Sequence, residues 1–405
     1  MSLATSSRLG FKYKLETIFG TPVSVTAANA LRIAGESLDF NNKTQTSQEI
    51  RSDRQVTDLI LIGAEAAGGF TFELSYGEFD PFLEAVSQGT WAVFGIQGVG
   101  AVIPTSAVFT ANTLTAGAAT TGASLFTNLD LGQWVKVGGS SIAGQNIWAQ
   151  VSLTVAPTAA VLTFQGNPFT GLTGAGGAAV TVSSSRLVNG VAQRSFTFEE
   201  NFADVAQTLT FTGMTFDKMA LKIASGAILT GTFDTKGKTM TRQVGSLLGS
   251  TTPSTANSVM NGVNNVVNVL EGGVALTNTF IKSLTLDVGN NLRGLEGIGN
   301  LGNVGIASGS VDIKGTVEFY FADGTVYDKF LQNANTSLSF RLNDNQGNGY
   351  VITLPNMKYS AGKISAGAIN VDVMVSMSFT ALRDTVSGST IIIDRAGTAV
   401  APNLP

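Results

Sequence analysis

The sequence predicts an all-β protein with two tandem β-sandwich domains, each with one short flanking helix, and a small inserted β domain. Three observations support this fold class. Many short segments alternate between apolar and polar residues with a period of two, as half-buried strands do. Gly is frequent (47 residues) and Pro is rare (9), a composition typical of strands and tight turns. Stretches of the first half also recur, in the same order, in the second half.

The clearest repeat joins residues 69–83, GFTFELSYGEFDPFL, with residues 315–331, GTVEFYFADGTVYDKFL. Both run from Gly through an alternating strand and a polar turn to an aromatic residue, Asp, any residue, Phe and Leu. Two weaker echoes follow the same order: SLDFNN (37–42) with TLDVGNN (285–291), and MTFDKMALKIASGA (214–227) with MKYSAGKISAGA (357–368). Three echoes in one order indicate a duplication.

The two copies differ in length, and this difference sets the predicted domain boundaries. The stretch 92–193 has no counterpart in the second copy and contains only three charged residues, Asp130, Lys136 and Arg186. We interpret it as a small β-barrel or sandwich inserted in a loop of the first copy. The predicted boundaries are 1–91 with 194–245 for the first domain, 92–193 for the insert, 246–258 for a linker and 259–405 for the second domain.

Clean alternation predicts the strands and the turns between them. The predicted strands are SFTFE, TLTFTG and LTGTFDT in the first copy, and VDIKGTVEFYF, SLSFRLND and NVDVMVSMSFTAL in the second. Residues 341–354, RLNDNQGNGYVITL, form a hairpin by turn chemistry. The stretch VMNGVNNVVNVLEGG is compatible with either a short helix or a strand.

Each copy contains one predicted short helix. Asp80 is the expected N-cap, Pro81 the first helical residue, and Gly89 lies just past the end. Asp328 is expected to repeat the role of Asp80. Eight aromatic residues at matched places are expected to form two cores rather than a ligand platform: Phe70, Phe72, Phe79, Phe82, Phe319, Phe321, Tyr327 and Phe330.

The composition makes catalysis and metal binding improbable. The chain has no Cys and no His, so it lacks the commonest general base and the commonest transition-metal ligands. Residues 231–239, GTFDTKGKT, miss the P-loop spacing, residues 171–179 resemble a dinucleotide loop only in Gly content, and residues 343–348 lack the closing Glu of a calcium loop. The nearest candidates for a catalytic carboxylate pair are Glu199 with Glu200 and Glu73 with Asp80. Exposed positions on a strand would explain both pairs without catalysis. We therefore predict no enzyme, no catalytic residue, no cofactor and no metal.

Charge and hydropathy limit the possible partners and locations. The formal net charge is −4 and no basic stripe is present, which disfavours tight nucleic-acid binding. Only 13% of residues are charged, about half of the roughly 25% that is usual, and this fits a surface covered by further copies of the chain. No apolar run approaches the ~18 residues of a membrane span, and the first residues lack the apolar core of a signal peptide.

One long segment is too polar for a core position. Residues 41–69, which we call the first arm, are polar at first and abruptly apolar at 59–62. Its counterpart, the second arm at residues 290–309, is Gly-rich and shorter. The first arm is either a mobile surface loop or a hairpin that docks on a neighbouring subunit.

These residues also resemble a known family. The stretches EIRSDRQ (49–55) and ELSYGEFDPFLEA (73–85) are similar to the phage tail tube protein family, and so are TLDVGNNLRGLEGIGNLG, VEFYFADGTVYDKFL and GSTIIIDR in the second half. The resemblance covers about three quarters of the chain. It implies a structural subunit that forms rings stacked into a hollow tube in the virion tail, after synthesis in the host bacterial cytoplasm.

The same resemblance implies partners and contact residues. DNA would cross the lumen without specific binding, and the tape-measure protein and tail tip or terminator proteins would be partners. Two units in one chain would close the ring as a trimer with pseudo-sixfold symmetry, in a non-contractile (siphovirus) tail. Contacts between rings would use both arms, with these residues: Gln48, Glu49, Arg51, Asp53, Arg54, Asp58 and Arg293. The alternatives are a β-rich surface adhesin that binds glycans, or a glycan hydrolase.

Overall fold

The computed structural model describes residues 3–23, 28–94, 101–103, 107–116, 125–177, 180–276, 279–322 and 324–397. The predicted all-β fold class is confirmed, because strands dominate the described residues and only two α-helices occur among them. These helices are α1 (Asp80–Ser87) and α2 (Thr325–Leu331). Single 3-10 turns lie at Ser6–Arg8 and Ala143–Gln145.

The strands fall into four groups along the chain. Before α1 they are β1 (Leu9–Leu15), β2 (Ala28–Ala30), β3 (Gly35–Glu36), β4 (Asp39–Thr46) and β5 (Leu59–Glu73). The stretch 92–193 contains β6 (Ala92–Phe94), β7 (Ala101–Ile103), β8 (Val108–Phe109), β9 (Thr113–Thr115), β10 (Trp134–Gly138), β11 (Trp148–Gln150), β12 (Val161–Thr163), β13 (Gly174–Ala175) and β14 (Val180–Val188). Next come β15 (Phe196–Phe202), β16 (Gln207–Ala224), β17 (Thr230–Lys236), β18 (Thr239–Val244) and β19 (Thr251–Thr252). The last group is β20 (Val266–Glu271), β21 (Val274–Ala275), β22 (Ile281–Gly289), β23 (Arg293–Leu295), β24 (Gly305–Ala307), β25 (Asp312–Tyr320), β26 (Thr336–Asn343), β27 (Gly349–Ser365), β28 (Met374–Ala381) and β29 (Ile392–Ala396).

The two halves of the chain repeat one pattern of strand pairing. In the first half β1 pairs β15, β15 pairs β16, and β16 pairs both β18 and β17, which leads on to β5 and β4. The second half repeats this pattern: β20 pairs β26, β26 pairs β27, and β27 pairs both β29 and β28. From β28 the sheet continues to β25 and then to β22. A helix follows β5 and β25 alike. All of these pairs are antiparallel, and each helix packs on its own half, α1 against β16 and α2 against β27.

A single sheet connects the halves. The C-terminal part of β16 pairs with β22, from Lys218 opposite Gly289 to Ala224 opposite Ser283. The result is an eight-stranded sheet in the order β4–β5–β17–β16–β22–β25–β28–β27, four strands from each half. One hydrophobic core lies behind this sheet and contains residues of both halves.

Aromatic rings dominate the core of the first half, as predicted for Phe70, Phe72, Phe79 and Phe82, each at most 2% exposed. The Phe82 ring lies 5.0 Å from that of Phe216 and packs against several other rings. The second half departs from the prediction. Phe319 is buried, but Phe321 is 41% exposed, and Tyr327 and Phe330 are only partly buried.

Both helices exist, but their predicted caps are wrong. Phe79 occupies the N-cap of α1, so Asp80 is already the first helical residue and its carboxylate binds elsewhere. Gln88 ends this helix in the left-handed conformation, with Gly89 just past the end as expected. Gly324 is the N-cap of α2, which puts Asp328 inside the helix rather than ahead of it. The turn predicted at 341–354 is confirmed as the β26–β27 hairpin, and the stretch after residue 258 forms β20, a strand.

The stretch 246–258 packs against the first half. The backbone N–H groups of Leu247 and Leu248 both donate to the Glu199 carboxylate at 2.9 Å. β19 pairs in parallel with β2, and the Thr255 N–H donates to Glu78 at 2.7 Å. The path between the halves is therefore fixed by hydrogen bonds.

The inserted stretch has a core of its own. It is built on Phe109, Phe126, Leu162, Phe164 and Phe169, each at most 2% exposed. A four-stranded sheet in the order β12–β9–β8–β13 covers one side, and β11, β10, β14 and β7 form the other. This cluster of buried residues is separate from the core behind the eight-stranded sheet.

Candidate functional site: the assembly surfaces

The first arm is a hairpin that extends beyond the body of the first half. β4 and β5 pair from Asp39 opposite Ala67 to Thr46 opposite Leu59, and residues 47–58 join them. The Ser47 N–H donates to the Asp58 carbonyl at 3.0 Å and closes the base of this connection. Six of the predicted contact residues lie here with exposed side chains: Gln48, Glu49, Arg51, Asp53, Arg54 and Asp58.

Two contacts shape the tip of the first arm. The Arg51 guanidinium forms an ion pair with Asp53 at 3.0 Å, and Thr57 donates to Glu49 at 3.2 Å. Arg54 has a positive φ of 58°, which turns the chain back toward β5. The tip thus presents an ordered set of charges to the surroundings.

The apolar part of the first arm is uncovered. Four consecutive residues, Leu59 to Ile62, are between 47% and 60% exposed, and Ile50 at the tip is fully exposed. Consecutive residues of a strand point to opposite faces, so both faces of the arm expose apolar side chains. A contiguous patch of this kind on a strand marks an interaction site.

The second arm supports the base of the first. β23 and β24 form a short hairpin, and Arg293, the seventh predicted contact residue, lies exposed at its start. The Lys43 ammonium binds Glu296 at 2.7 Å, and the Ala64 N–H donates to the Leu301 carbonyl at 2.8 Å. The structure therefore brings the two arms together, but through Lys43 and Glu296, which the sequence did not single out.

A second apolar surface lies at the opposite end of the eight-stranded sheet. Phe280, Val274, Val263 and Ile228 are between 47% and 71% exposed there. Beside them is a groove of about 440 Å³ between the end of β16, β20 and the start of β22, partly lined by Phe280. The chain thus has apolar surface at both ends of one sheet.

One face of the eight-stranded sheet is polar, because α1, α2 and the second layer of strands cover the other face. On this polar face, Ser, Thr and Ala residues are interspersed with charged residues. The lysines are Lys43, Lys218, Lys222, Lys236, Lys314, Lys358 and Lys363, and the acidic residues are Asp39, Glu65, Glu73, Asp234, Asp287, Asp312 and Glu318. Opposite charges face each other across strands, as Lys218 does Asp234 and Asp287 does Lys314. The acidic excess of the chain is therefore not concentrated on this face.

The eight-stranded sheet has two edges without a neighbour among the described strands. One is β4, which pairs only with β5, and the other is the C-terminal part of β27, which pairs only with β28. Seven of the eight residues of β4 are exposed, and so are Ser360, Ala361, Lys363 and Ile364 of β27. Free edges of this kind are templates for strand pairing.

The inserted stretch is tied to the second half by a buried ion pair. β14 pairs with β29, and the Arg186 guanidinium donates to both oxygens of Asp394 at 2.8 and 2.9 Å. Asp394 is fully buried and also accepts the Trp134 N–H at 2.9 Å. Asn189 accepts hydrogen bonds from the Thr390 and Ile391 N–H groups. The insert therefore bridges the two halves. The sequence offered one hint of this contact, since Arg186 is one of only three charged residues in the stretch.

A second buried cluster joins α1 to the second half. The Asp80 carboxylate accepts the Tyr350 hydroxyl at 2.5 Å and forms an ion pair with Arg395. The Arg395 guanidinium lies 4.2 Å from the centre of the Trp91 ring. Asp80 is thus a structural anchor, which explains why it does not cap the helix.

The candidate carboxylate pairs do not form a catalytic site. Glu199 and Glu200 are adjacent on β15 and point to opposite faces; Glu199 binds the backbone at 247–248. Burial, with the nearby Glu36 carboxylate, raises the pKa of Glu200 to about 8. Glu73 is exposed at the end of β5, while Asp80 is buried against Arg395.

The remaining motifs are structural turns. Residues 231–239 cover most of β17 and its connection to the start of β18, both of which pair with β16. The Asp344 carboxylate accepts the N–H groups of Gln346 and Asn348 within its own turn. Among the described residues, no group of three or more Asp or Glu could hold a metal ion. In the same part of the chain no helix is long and apolar enough to cross a membrane.

Comparison with known proteins identifies the family of the chain. The family model described as phage tail tube protein matches residues 6–381, nearly the whole chain. No curated protein matches the chain. The chain therefore belongs to the phage tail tube protein family, whose members are structural components of the virion tail that assemble into a tube.

Proposed function

We propose that this protein is a tail tube subunit of which three copies close each ring, with six similar units per ring, and that stacked rings form the conduit for genome delivery. The observation that supports this most directly is the eight-stranded sheet with two free edges. Such a sheet can continue from copy to copy, and a closed ring leaves no free edge. Three copies would give a ring of twenty-four strands.

The polar face of the sheet is proposed to line the lumen. Its small hydroxyl side chains and mixed charges offer DNA neither a basic surface nor an apolar one. DNA would therefore pass without specific binding. The tape-measure protein would occupy the same lumen before ejection, and tail tip and terminator proteins would bind the two ends of the tube.

The arms are proposed to join successive rings. Apolar side chains of the first arm lie at one end of the sheet, and the apolar groove beside Phe280 lies at the other. Stacking would bury both surfaces together, which is favourable at about 25 cal/mol for each Å² removed from water. The inserted stretch, which departs from the α1 end of the first half, would lie on the exterior of a non-contractile tube. No catalytic role is proposed.

The direct test is electron microscopy of the purified protein at high concentration, with averages viewed along the tube axis. We expect hollow tubes whose rings show six lobes of two alternating kinds. Monomers that never polymerise, even when seeded with tail tips, would contradict the proposal. Rings with another number of lobes would contradict the trimer alone.

A charge reversal tests the role of the first arm. Arg51→Glu with Arg54→Glu is expected to leave folded subunits and rings but to prevent stacking, because both residues lie at the exposed tip. Tube length by electron microscopy is the measurement. The matched control is Arg242→Glu, an exposed arginine on β18. Tubes of normal length from the double variant would rule out docking through these charges.

A further inference from the structure

The junction between the two halves provides a template for the junction between two copies, provided that equivalent residues can be identified. Two irregularities identify them. The β15–β16 ladder shifts register just beyond the pair Phe196–Met214, and the β26–β27 ladder does so just beyond Thr336–Met357. Met214 and Met357 are therefore equivalent.

A second shift extends the alignment into the edge strand. Asp217 in β16 is skipped in the pairing with β17, and Ser360 in β27 is skipped in the pairing with β28. Each lies three residues after the equivalent methionine. With no further shift on either side, Ala220 and Lys363 occupy equivalent positions.

The other edge aligns in the same way. In the first half, Lys218 pairs with Asp234, and Asp234 pairs with Gly69. In the second half, Ala361 pairs with Ser378, and Ser378 pairs with Thr316, so Gly69 and Thr316 are equivalent. Two residues earlier on those strands are Ala67 and Lys314, and these pair with Asp39 and Asp287 respectively. Asp39 on the free edge β4 is thus equivalent to Asp287 on β22, in keeping with the SLD and TLD echo in the sequence.

Within the chain, Ala220 lies opposite Asp287. Substituting the equivalent residues places Lys363 of one copy opposite Asp39 of the next. Both side chains are exposed, and within the described residues neither forms an ion pair. The internal junction has an alanine where the free edge has a lysine, so the two free edges are complementary in charge.

The neighbouring positions agree with this register. Inside the chain Leu221 lies opposite Leu286, both at most 4% exposed. The equivalent pair is Ile364 with Leu38, which are both apolar and incompletely buried in the isolated chain. A shift of the pairing by one residue would place Lys363 opposite Leu38 or Phe40, so that neither the charges nor the apolar side chains would be paired.

We propose that β27 of one copy pairs antiparallel with β4 of a second copy, with Lys363 opposite Asp39 and Ile364 opposite Leu38. This proposal rests on the proposed function, because it fixes how the ring closes. It also makes the interface between copies differ in one respect from the internal junction: a cross-strand ion pair replaces the Ala220–Asp287 pair. That charge pair selects the register as the subunits meet.

The absence of cysteine from the chain permits a sharp test. Asp39→Cys with Lys363→Cys places two thiols opposite each other, at a separation that a disulfide can span in an antiparallel ladder. Oxidation of assembled tubes should give covalent trimers on a denaturing, non-reducing gel. The matched control, Asp39→Cys with Ile364→Cys, puts the second thiol on the other face and should remain largely uncrosslinked.

Charge exchange gives an independent readout. Asp39→Lys or Lys363→Asp alone places like charges opposite each other, and we expect the protein concentration needed for assembly to rise about tenfold, which corresponds to ~1.4 kcal/mol. Combining both substitutions should restore assembly. If wild-type tubes form but the matched cysteines stay apart and the exchange does not rescue, this register is wrong and the ring proposal survives. If the wild type never forms rings, the proposed function itself fails.

Discussion

The two halves of the chain share one pairing scheme but differ in what covers it. In the second half β29 has β27 on one side and β14 of the insert on the other. In the first half the equivalent strand, β18, pairs only with β16 among the described strands. α1 is completely buried, whereas α2 has a single buried residue, Val326. The insert therefore adds a strand, β14, beside β29 of the second half, and β18 of the first half has no such neighbour among the described strands.

The cores of the halves differ as well. In the first half, Phe82 of α1 packs against Phe70, Phe198 and Phe216. By the ladder alignment, Leu338 replaces Phe198. At the edge of the core, the carboxyl groups of Glu200 and Glu36 in the first half are replaced by Phe340 and Leu284 in the second. Equivalent backbones thus tolerate different interiors, because strand pairing depends on main-chain hydrogen bonds.

The largest expected effect comes from breaking the tie between the insert and the second half. Asp394→Ala removes the buried bidentate partner of the Arg186 guanidinium and leaves it only the exposed Asp130 carboxylate at 3.7 Å. We expect a loss of about 3–5 kcal/mol in the free energy of unfolding. Urea unfolding measures it. The control, Arg186→Met with Asp394→Leu, replaces the pair by apolar side chains and should recover most of the stability. Equal losses in the single and double variants would show that the charge pair is not the cause.

This result also bears on removal of the insert. The interpretation of residues 92–193 as an exterior insert predicts that deleting residues 94–191 leaves tubes intact but thinner. In the structure the deletion would free the edge of β29 and leave Asp394 without its cation. We therefore expect that deletion to destabilise the second half.

A pair of core truncations tests the difference between the helices. Phe82→Ala removes a fully buried ring and should cost about 3–5 kcal/mol. Phe330→Ala, at the equivalent place in the partly exposed α2, should cost less, about 1–2 kcal/mol. Chemical denaturation of both variants gives the comparison. Equal costs would mean that the exposed face of α2 is packed against something in solution, such as a second copy.

The last expected effect is a pH dependence specific to the first half. The pKa of Glu200 is raised to about 8 from 4.5, chiefly by burial and then by Glu36. A raised pKa means that the folded state holds a proton which the unfolded chain releases. The contribution to stability is complete below pH 4.5 and disappears as the pH rises through about 8.

The variant Glu200→Gln should remove this dependence, because an amide does not titrate. We expect the unfolding midpoint of the wild type to fall between pH 5 and pH 9 by more than that of the variant. Glu73→Gln, at an exposed carboxylate, is the control and should follow the wild type. Parallel curves for all three proteins would exclude Glu200 as the titrating group.

Much of the fold could be predicted from local patterns. The alternation in SFTFE and TLTFTG predicted β15 and β16, and the repeated aromatic, Asp, any residue, Phe and Leu motif predicted both helices near their observed positions. The caps were wrong because the Asp80 carboxylate has a buried partner, Arg395, 315 residues away. Local helix rules contain no information about a contact of that separation.

The sequence by itself determined the strand content, the two short helices, the low charge and the family, because these depend on period, composition and local motifs. Only the tertiary structure decided that one sheet runs through both halves, that β14 closes the second half through Arg186 and Asp394, and that Lys363 and Asp39 lie on opposite free edges. The physical reason is that strand pairing between distant segments is set by register and by the burial of one face. Neither is visible until the whole chain is packed.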